Sequence, residues 1–306
     1  MAAQVLSFVA RLPRMHGRRM RLWLFLMAGS IAILTTQVAM PQWHILPGSA
    51  NLGYDSAVFA IFLAALLCEY MDSSLGMGYG TTLTPLLILF GYEPLQIVPA
   101  VLLSELLTGL AAGVMHQHDG NVDFLRDAAA RRTTLLLTSL SAAGALAAVA
   151  LAVQISKFWL GLIITGIVMS MGVVILATRH RQLHYRAGGI VAVGAVAAFN
   201  KGLSGGGYGP LVTAGQVVSG LPAKRAVAVT SVAESVTCLV GVLAYLAVGK
   251  TLAWNLAVPL TMGALLSVPM ATVTVRHLPE RAVRGVVGTF TLILGAVALL
   301  RLVNSI

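Results

Sequence analysis

The chain has 306 residues, of which 58% are hydrophobic and 10% charged, with 20 Lys and Arg against 10 Asp and Glu for a formal net charge of +10. Soluble domains carry about 25% charged residues, so a water-soluble globular protein is excluded and a polytopic membrane protein is expected. The basic residues fall in short segments between apolar runs, which is the positive-inside pattern, and no nucleic-acid partner is expected.

Residues 22–40, 135–153, 158–178 and 252–275 are long and nearly free of charge, each close to the about 20 residues that cross a hydrocarbon core as helix. A transmembrane β-barrel would alternate apolar and polar residues in segments of about 10, so the expected fold is all-α. Residues 1–21, with Arg11, Arg14, Arg18, Arg19 and Arg21, read as a basic cytoplasmic amino terminus. Residues 22–41 follow as an extra transmembrane helix, retained because no small-residue cleavage site follows the apolar run. The linker "PQWHILPGSANLGYD" has no Lys or Arg and is placed outside.

A first repeat, residues 53–178, opens with two short segments, at 56–71 and 78–91, joined by "MDSSLGMGYGT". A span at 97–115 then runs inward, because Arg126, Arg131 and Arg132 follow it, and two more spans lead to the basic loop "RHRQLHYR" within residues 179–187, placed in the cytoplasm. A second repeat, residues 188–303, restarts the order with a short segment at 188–199, the break "NKGLSGGGYGP", another short segment, and three spans beginning near residues 225, 252 and 283. Gly76, Gly78, Tyr79 and Gly80 recur as Gly205, Gly207, Tyr208 and Gly209 at one constant offset, and Glu105 and Thr108 recur as Glu234 and Thr237 at the same offset. The duplicated halves start on opposite sides of the membrane. Two inverted-topology repeats with Gly-broken short helices in equivalent places point to a secondary transporter whose site lies at the midplane.

Backbone groups freed by a break cost several kcal/mol in hydrocarbon unless protein, water or a ligand satisfies them. New helices starting at Tyr79 and Tyr208 would each offer unpaired N–H donors and a positive dipole end, and glycines would let an anion approach. The substrate-binding candidates are therefore Gly76, Gly78, Tyr79, Gly80 and Thr81 in one repeat and Lys201, Ser204, Gly205, Gly206, Gly207, Tyr208 and Gly209 in the other. The bland alternative is that glycine admits a neighbouring helix, as "GLAAG" at 109–113 is expected to do.

The paired "GMGYGTTLTP" and "GGGYGPLVTA", the following "GYEPLQIVPAVLLSE" and "SGLPAKRAVAVTSVAE", and "HQHDGNVDF" resemble the sulfite exporter TauE/SafE family, also called the toluenesulfonate uptake permease family. The likeness runs over about residues 53–303, and "GMGYG" departs from the glycine-richer version kept in the second repeat. The resemblance implies a bacterial plasma (inner) membrane protein that moves small sulfur-containing or organic anions, sulfite and sulfonates among them, by export coupled to protons or as an uptake permease or channel.

Four carboxylates in apolar surroundings, Glu69, Asp72, Glu105 and Glu234, are candidates for proton coupling. An ionised carboxylate costs about 2.5–3.5 kcal/mol at a helix centre, so each should face the bundle interior or a watery cavity. A structural role for Glu105 and Glu234, bonded through Thr108 or Thr237, is the alternative. Lys201 has three readings: counter-charge for the anion, partner of Asp72, its positional match, or a snorkelling residue. His116, His118, Asp119 and Asp123 lack zinc-type spacing and read as a solvated loop. No H-E-x-x-H or P-loop motif occurs, no cofactor is expected and the chain does not read as an enzyme. The partners are a small anion and the lipid bilayer, with a homodimer left open.

Overall fold

Apolar sequence that must satisfy its own backbone groups in lipid folds as helix, and every regular element among the described residues is helical. A computed structural model of the chain describes residues 17–304 apart from 50–52, 77, 179–186, 210–211, 214–215, 217–222 and 275–279. In chain order the helices are α1 (Gly17–Ala39), α2 (Ala57–Leu75), α3 (Tyr79–Leu89), α4 (Pro94–His118), α5 (Ala128–Ala152), α6 (Lys157–Thr178), α7 (Ala187–Ser204), α8 (Ala223–Ala247), α9 (Trp254–Thr274) and α10 (Glu280–Val303). A 3-10 turn, Pro41–Trp43, follows α1. The basic loop lies outside the described residues.

Among the described residues, six helices are long and apolar enough to cross a membrane: α1, α2, α4, α5, α8 and α9. The 11 residues of α3 rise about 16 Å at about 1.5 Å per residue, roughly half of a core about 30 Å thick. The segment before it departs from the sequence reading, which ended it at 71. Helix α2 continues through Asp72, Ser73 and Ser74 and is itself long enough to span. The polar residues stay helical because Ser73 Oγ donates to Glu69 Oε1 at 2.6 Å and Ser74 Oγ donates to the Tyr70 carbonyl, so neither hydroxyl is left bare in an apolar setting.

Local signals fix several boundaries. Helix α4 starts on a reciprocal capping box: the Glu93 side chain accepts the Gln96 backbone N–H, and the Gln96 side chain accepts the Glu93 N–H at 3.1 Å. Two orphan donors are satisfied at once, and Pro94 occupies the first turn, where no N–H is needed. Helices α2 and α7 end alike. Gly76 (φ +71°) returns its N–H to the Asp72 carbonyl, and Gly205 (φ +73°) returns its own to the Lys201 carbonyl at 2.8 Å. Both glycines sit in the left-handed region, where a side chain would be strained.

Packing joins the first half of the chain to the second. Helix α2 lies mainly on α9 and α5 on α7; α4 lies on α8, α6 on α10, α5 on α8, and α4 on α9. Ile61, Ala65, Tyr79, Leu83, Val101 and Leu260 form one buried seam, and Ala197, Ala198, Tyr208, Val212 and Val229 belong to another. The α4–α8 crossing is close because a Cβ on Gly109 would stand 2.7 Å from the Ser231 carbonyl oxygen, and one on Gly113 2.5 Å from Val232 Cγ2. Glycine here admits a helix, as expected for 109–113. Helix α1 is peripheral: only 11% of its apolar stretch is buried, and Trp23 Nε1 donates to the Leu266 carbonyl of α9 at 2.6 Å.

Candidate functional site

Lys201 stands in the last turn of α7 and is 1% exposed. Its ammonium pairs with Glu105 Oε2 of α4 and, at 2.8 Å, with Glu234 Oε1 of α8. Of the three sequence readings, snorkelling is overturned by this burial. Pairing with Asp72 gives way to a pair of glutamates, because the α4–α8 crossing brings those two carboxylates to the lysine together. Thr108 and Thr237 do not serve them either. Thr108 Oγ1 donates to Glu69 Oε2 at 3.2 Å, and Thr237 Oγ1 donates to the Ala233 carbonyl in its own helix at 2.9 Å.

The remaining candidate carboxylates sit close by. Glu69 is 2% exposed and accepts one hydroxyl on each oxygen, from Ser73 and Thr108. Asp72 Oδ1 accepts the Tyr79 backbone N–H at 3.5 Å, so an acidic side chain covers the start of α3, the favourable sign for a helix amino end. All four carboxylates, with Thr108, Gly109 and Ser231, line a cavity of about 10 Å³, room for roughly one water. Glu105 Oε1 is buried without a hydrogen-bond partner.

The two Gly-rich stretches meet each other. A Cβ on Gly80 would lie 1.7 Å from the Gly205 carbonyl oxygen, and one on Gly206 would lie 2.6 Å from Gly80 C and Thr81 N. Glycine at 80 and 206 therefore lets two backbones touch. Gly76 packs on Thr213, whose Oγ1 donates to the Gly76 carbonyl at 3.2 Å. Gly78 (φ +127°) precedes the first residue of α3, and Gly207 (φ +79°) precedes Tyr208; Gly209 is buried beside it. The tyrosine hydroxyls are already engaged, Tyr79 with Ser104 Oγ at 2.6 Å and Tyr208 with Ser141 Oγ at 3.0 Å. Ser204 Oγ donates to the Asn200 carbonyl at 2.8 Å and accepts the Gly206 N–H at 3.1 Å, while its carbonyl accepts Thr84 Oγ1. The hydroxyls of Thr81 and Thr82 are buried with no hydrogen-bond partner, the unspent donors at this helix start.

His116 corrects the loop reading. Its ring is fully buried, with Nε2 3.1 Å from the Ser73 carbonyl and Nδ1 3.0 Å from the Asn121 amide nitrogen. The amide of Asn121 also donates to the Thr272 carbonyl, and Thr272 Oγ1 donates to Asp119 Oδ2. This bracket ties the ends of α2, α4 and α9. Sequence reasoning missed it because α4 runs on to His118 and turns the ring inward. His118 and Asp123 are at the surface, where the Arg126 backbone N–H above all, then the Gln117 amide and the Leu125 N–H, hold Asp123 below the usual carboxylate range. Its contribution to stability is thus present above the unfolded value and is lost as the pH falls through the folded one. Among the described residues, no three His, Cys, Asp or Glu are grouped to hold a metal ion. His116→Ala is expected to lower stability by about 1–3 kcal/mol, the usual cost of stranding buried polar groups, seen as a lower thermal midpoint in detergent; an unchanged midpoint would dismiss the bracket.

Comparison with known proteins adds the following. The family model described as "Sulfite exporter TauE/SafE" matches residues 61–298. A probable membrane transporter protein, YtnM of Bacillus subtilis (strain 168), is 28% identical over 256 residues, covering 78% of this chain and 81% of that protein. No solved structure matches.

Proposed function

Since the chain belongs to the sulfite exporter TauE/SafE family and is a multi-pass membrane transporter, we propose that it is a secondary transporter of small anions, sulfur oxyanions or sulfonates by class, and that it couples their movement to protons. The observation that carries this reading is Lys201, a buried cation held by Glu105 and Glu234 where the two Gly-rich stretches touch. An ammonium buried at membrane depth becomes a counter-charge for an anion once its carboxylates release it, and those carboxylates are the groups that can exchange it for protons. The Thr81 and Thr82 hydroxyls and the opened Gly-rich stretches supply the other donors in a binding state. Flux of sulfite, thiosulfate, sulfate, sulfonates and small carboxylates into proteoliposomes, with and without a pH gradient, tests it. Flux of a sulfur anion that rises with the gradient is expected. Passive, gradient-blind conductance would make the protein a channel.

The halves are proposed to be inverted repeats, with the amino terminus in the cytoplasm of a bacterial inner-membrane protein. Exchanging the halves preserves the packing, which supports the repeat: α2 on α9 answers α7 on α5, α4 on α9 answers α8 on α5, and α4–α8 and α6–α10 answer themselves. Leu125, 81% exposed, and exposed Thr251 lie in loops that follow equivalent helices, α4 and α8. Cysteines at these two positions, in a background without Cys68 and Cys238, are expected to label from opposite faces, Leu125 from the cytoplasm. Labelling of both from one face would overturn the inversion.

A further inference from the structure

The charges gathered around Lys201 are unequal. Facing this one ammonium are Glu105 from α4, Glu234 from α8 and Asp72 from α2, with the Cys238 thiol nearby; Glu69 of α2 shares the cavity with these three carboxylates, and the Tyr79 and Tyr208 hydroxyls lie beside Glu105 and Glu234 respectively. Two of the carboxylates have donors of their own. Ser73 and Thr108 bond Glu69, and the Tyr79 N–H bonds Asp72. Glu105 and Glu234 instead share the ammonium, so with both ionised this triad carries one net negative charge. These two glutamates line the water-sized cavity whereas Lys201 does not, and Glu105 Oε1 is buried without a hydrogen-bond partner. An anion entering from the cavity meets the carboxylates before the ammonium.

We propose that Glu105 and Glu234 surrender Lys201 to the transported anion by taking up one proton for each negative charge the anion brings, so that transport is electroneutral and the site accepts monovalent and divalent anions. This rests on the transporter reading above. Lys201 stays an ammonium throughout. For a monoanion, one carboxylate takes a proton, its ion pair breaks, and an anion oxygen accepts the freed N–H. For a dianion both carboxylates do so. In either case the triad's net charge is the same before and after loading, which avoids the cost of adding an uncompensated charge in a low-dielectric interior. On release the protons leave with the anion. Anion and protons therefore cross together, inward when the outside is acidic and outward when the internal anion is in sufficient excess.

The test uses the full chain in proteoliposomes, with thiosulfate as the dianion and ethanesulfonate as the monoanion, a potassium diffusion potential to set the voltage, and a trapped pH dye to count protons. Two protons are expected to accompany each thiosulfate and one each ethanesulfonate, with accumulation blind to the potential. Glu105→Gln and Glu234→Gln each leave a single proton site. Thiosulfate should then carry one net charge, and its accumulation ratio should vary by up to about fifty-fold per 100 mV, while ethanesulfonate stays electroneutral. A wild-type protein that moves either anion with net charge, or without protons, overturns this inference and leaves the transporter standing. A protein that moves no sulfur anion overturns the transporter reading and the inference with it. Should a variant fail to fold, the wild-type proton count still decides.

Discussion

Lys201→Met is expected to abolish anion flux and to destabilise the protein at the same time. Removing one partner from a buried ion pair costs about 3–5 kcal/mol, because the charge left behind has no compensation. Here two carboxylates would be left, Glu105 and Glu234, in place of one bonded triad. That loss is large against the total of about 5–15 kcal/mol that holds a typical domain folded. The structural and transport roles separate in the triple variant Lys201→Met, Glu105→Gln, Glu234→Gln, which is neutral at all three positions. Replacing a buried ionic group wholesale by apolar residues of similar volume is often harmless to stability, and two stranded amides cost less than two stranded charges, so the triple variant should regain part of the thermal midpoint and still carry no anion. Flux restored in the triple variant, or retained in Lys201→Met, would show that the ammonium is not the counter-charge.

Gly80→Ala is expected to be nearly as damaging for a different reason. The added Cβ would sit 1.7 Å from the Gly205 carbonyl oxygen, and on the other side Gly206→Ala would press within 2.6 Å of Gly80 C. Both obstacles are backbone, so neither can swing aside as a side chain would. Overpacking costs about 1–3 kcal/mol where neighbours relax, and the lower thermal midpoint should come with lost flux, since the stretches can no longer touch. Gly29→Ala is the control: a Cβ there meets nothing within 4 Å, and alanine favours helix by about 1 kcal/mol. Equal midpoints for Gly80→Ala and Gly29→Ala would remove the contact from the account.

Much of this molecule is legible in its sequence because lipid leaves few options. The apolar runs become helices, and the small residues at 109–113 mark a close crossing. Helices α8, α9 and α10 begin at Ala223, Trp254 and Glu280, close to where the basic residues and apolar runs place them. What escapes the sequence is partnership over long range. Lys201 and Asp72 match by position, yet the lysine pairs with two glutamates, a choice made by how α4 crosses α8. A glycine that admits an anion and a glycine that admits another backbone look the same as letters. Only geometry identifies Gly80 and Gly206 as the second kind in this structure. The burial of His116 depends on one further turn of α4, and boundaries shift easily by that much.

The reliance of each half on the other sets the order of events during synthesis. Glu69, Asp72 and Glu105 enter the membrane with α2 and α4, while Lys201 and Glu234 are still untranslated. At about 5–20 residues per second, the ribosome leaves these acidic groups without their cation for several seconds. Throughout that interval the nascent first half has neither the ammonium that compensates Glu105 nor the α9 surface against which α2 packs. A slow stretch of message between Glu105 and Lys201 would lengthen that exposure without altering a single amino acid.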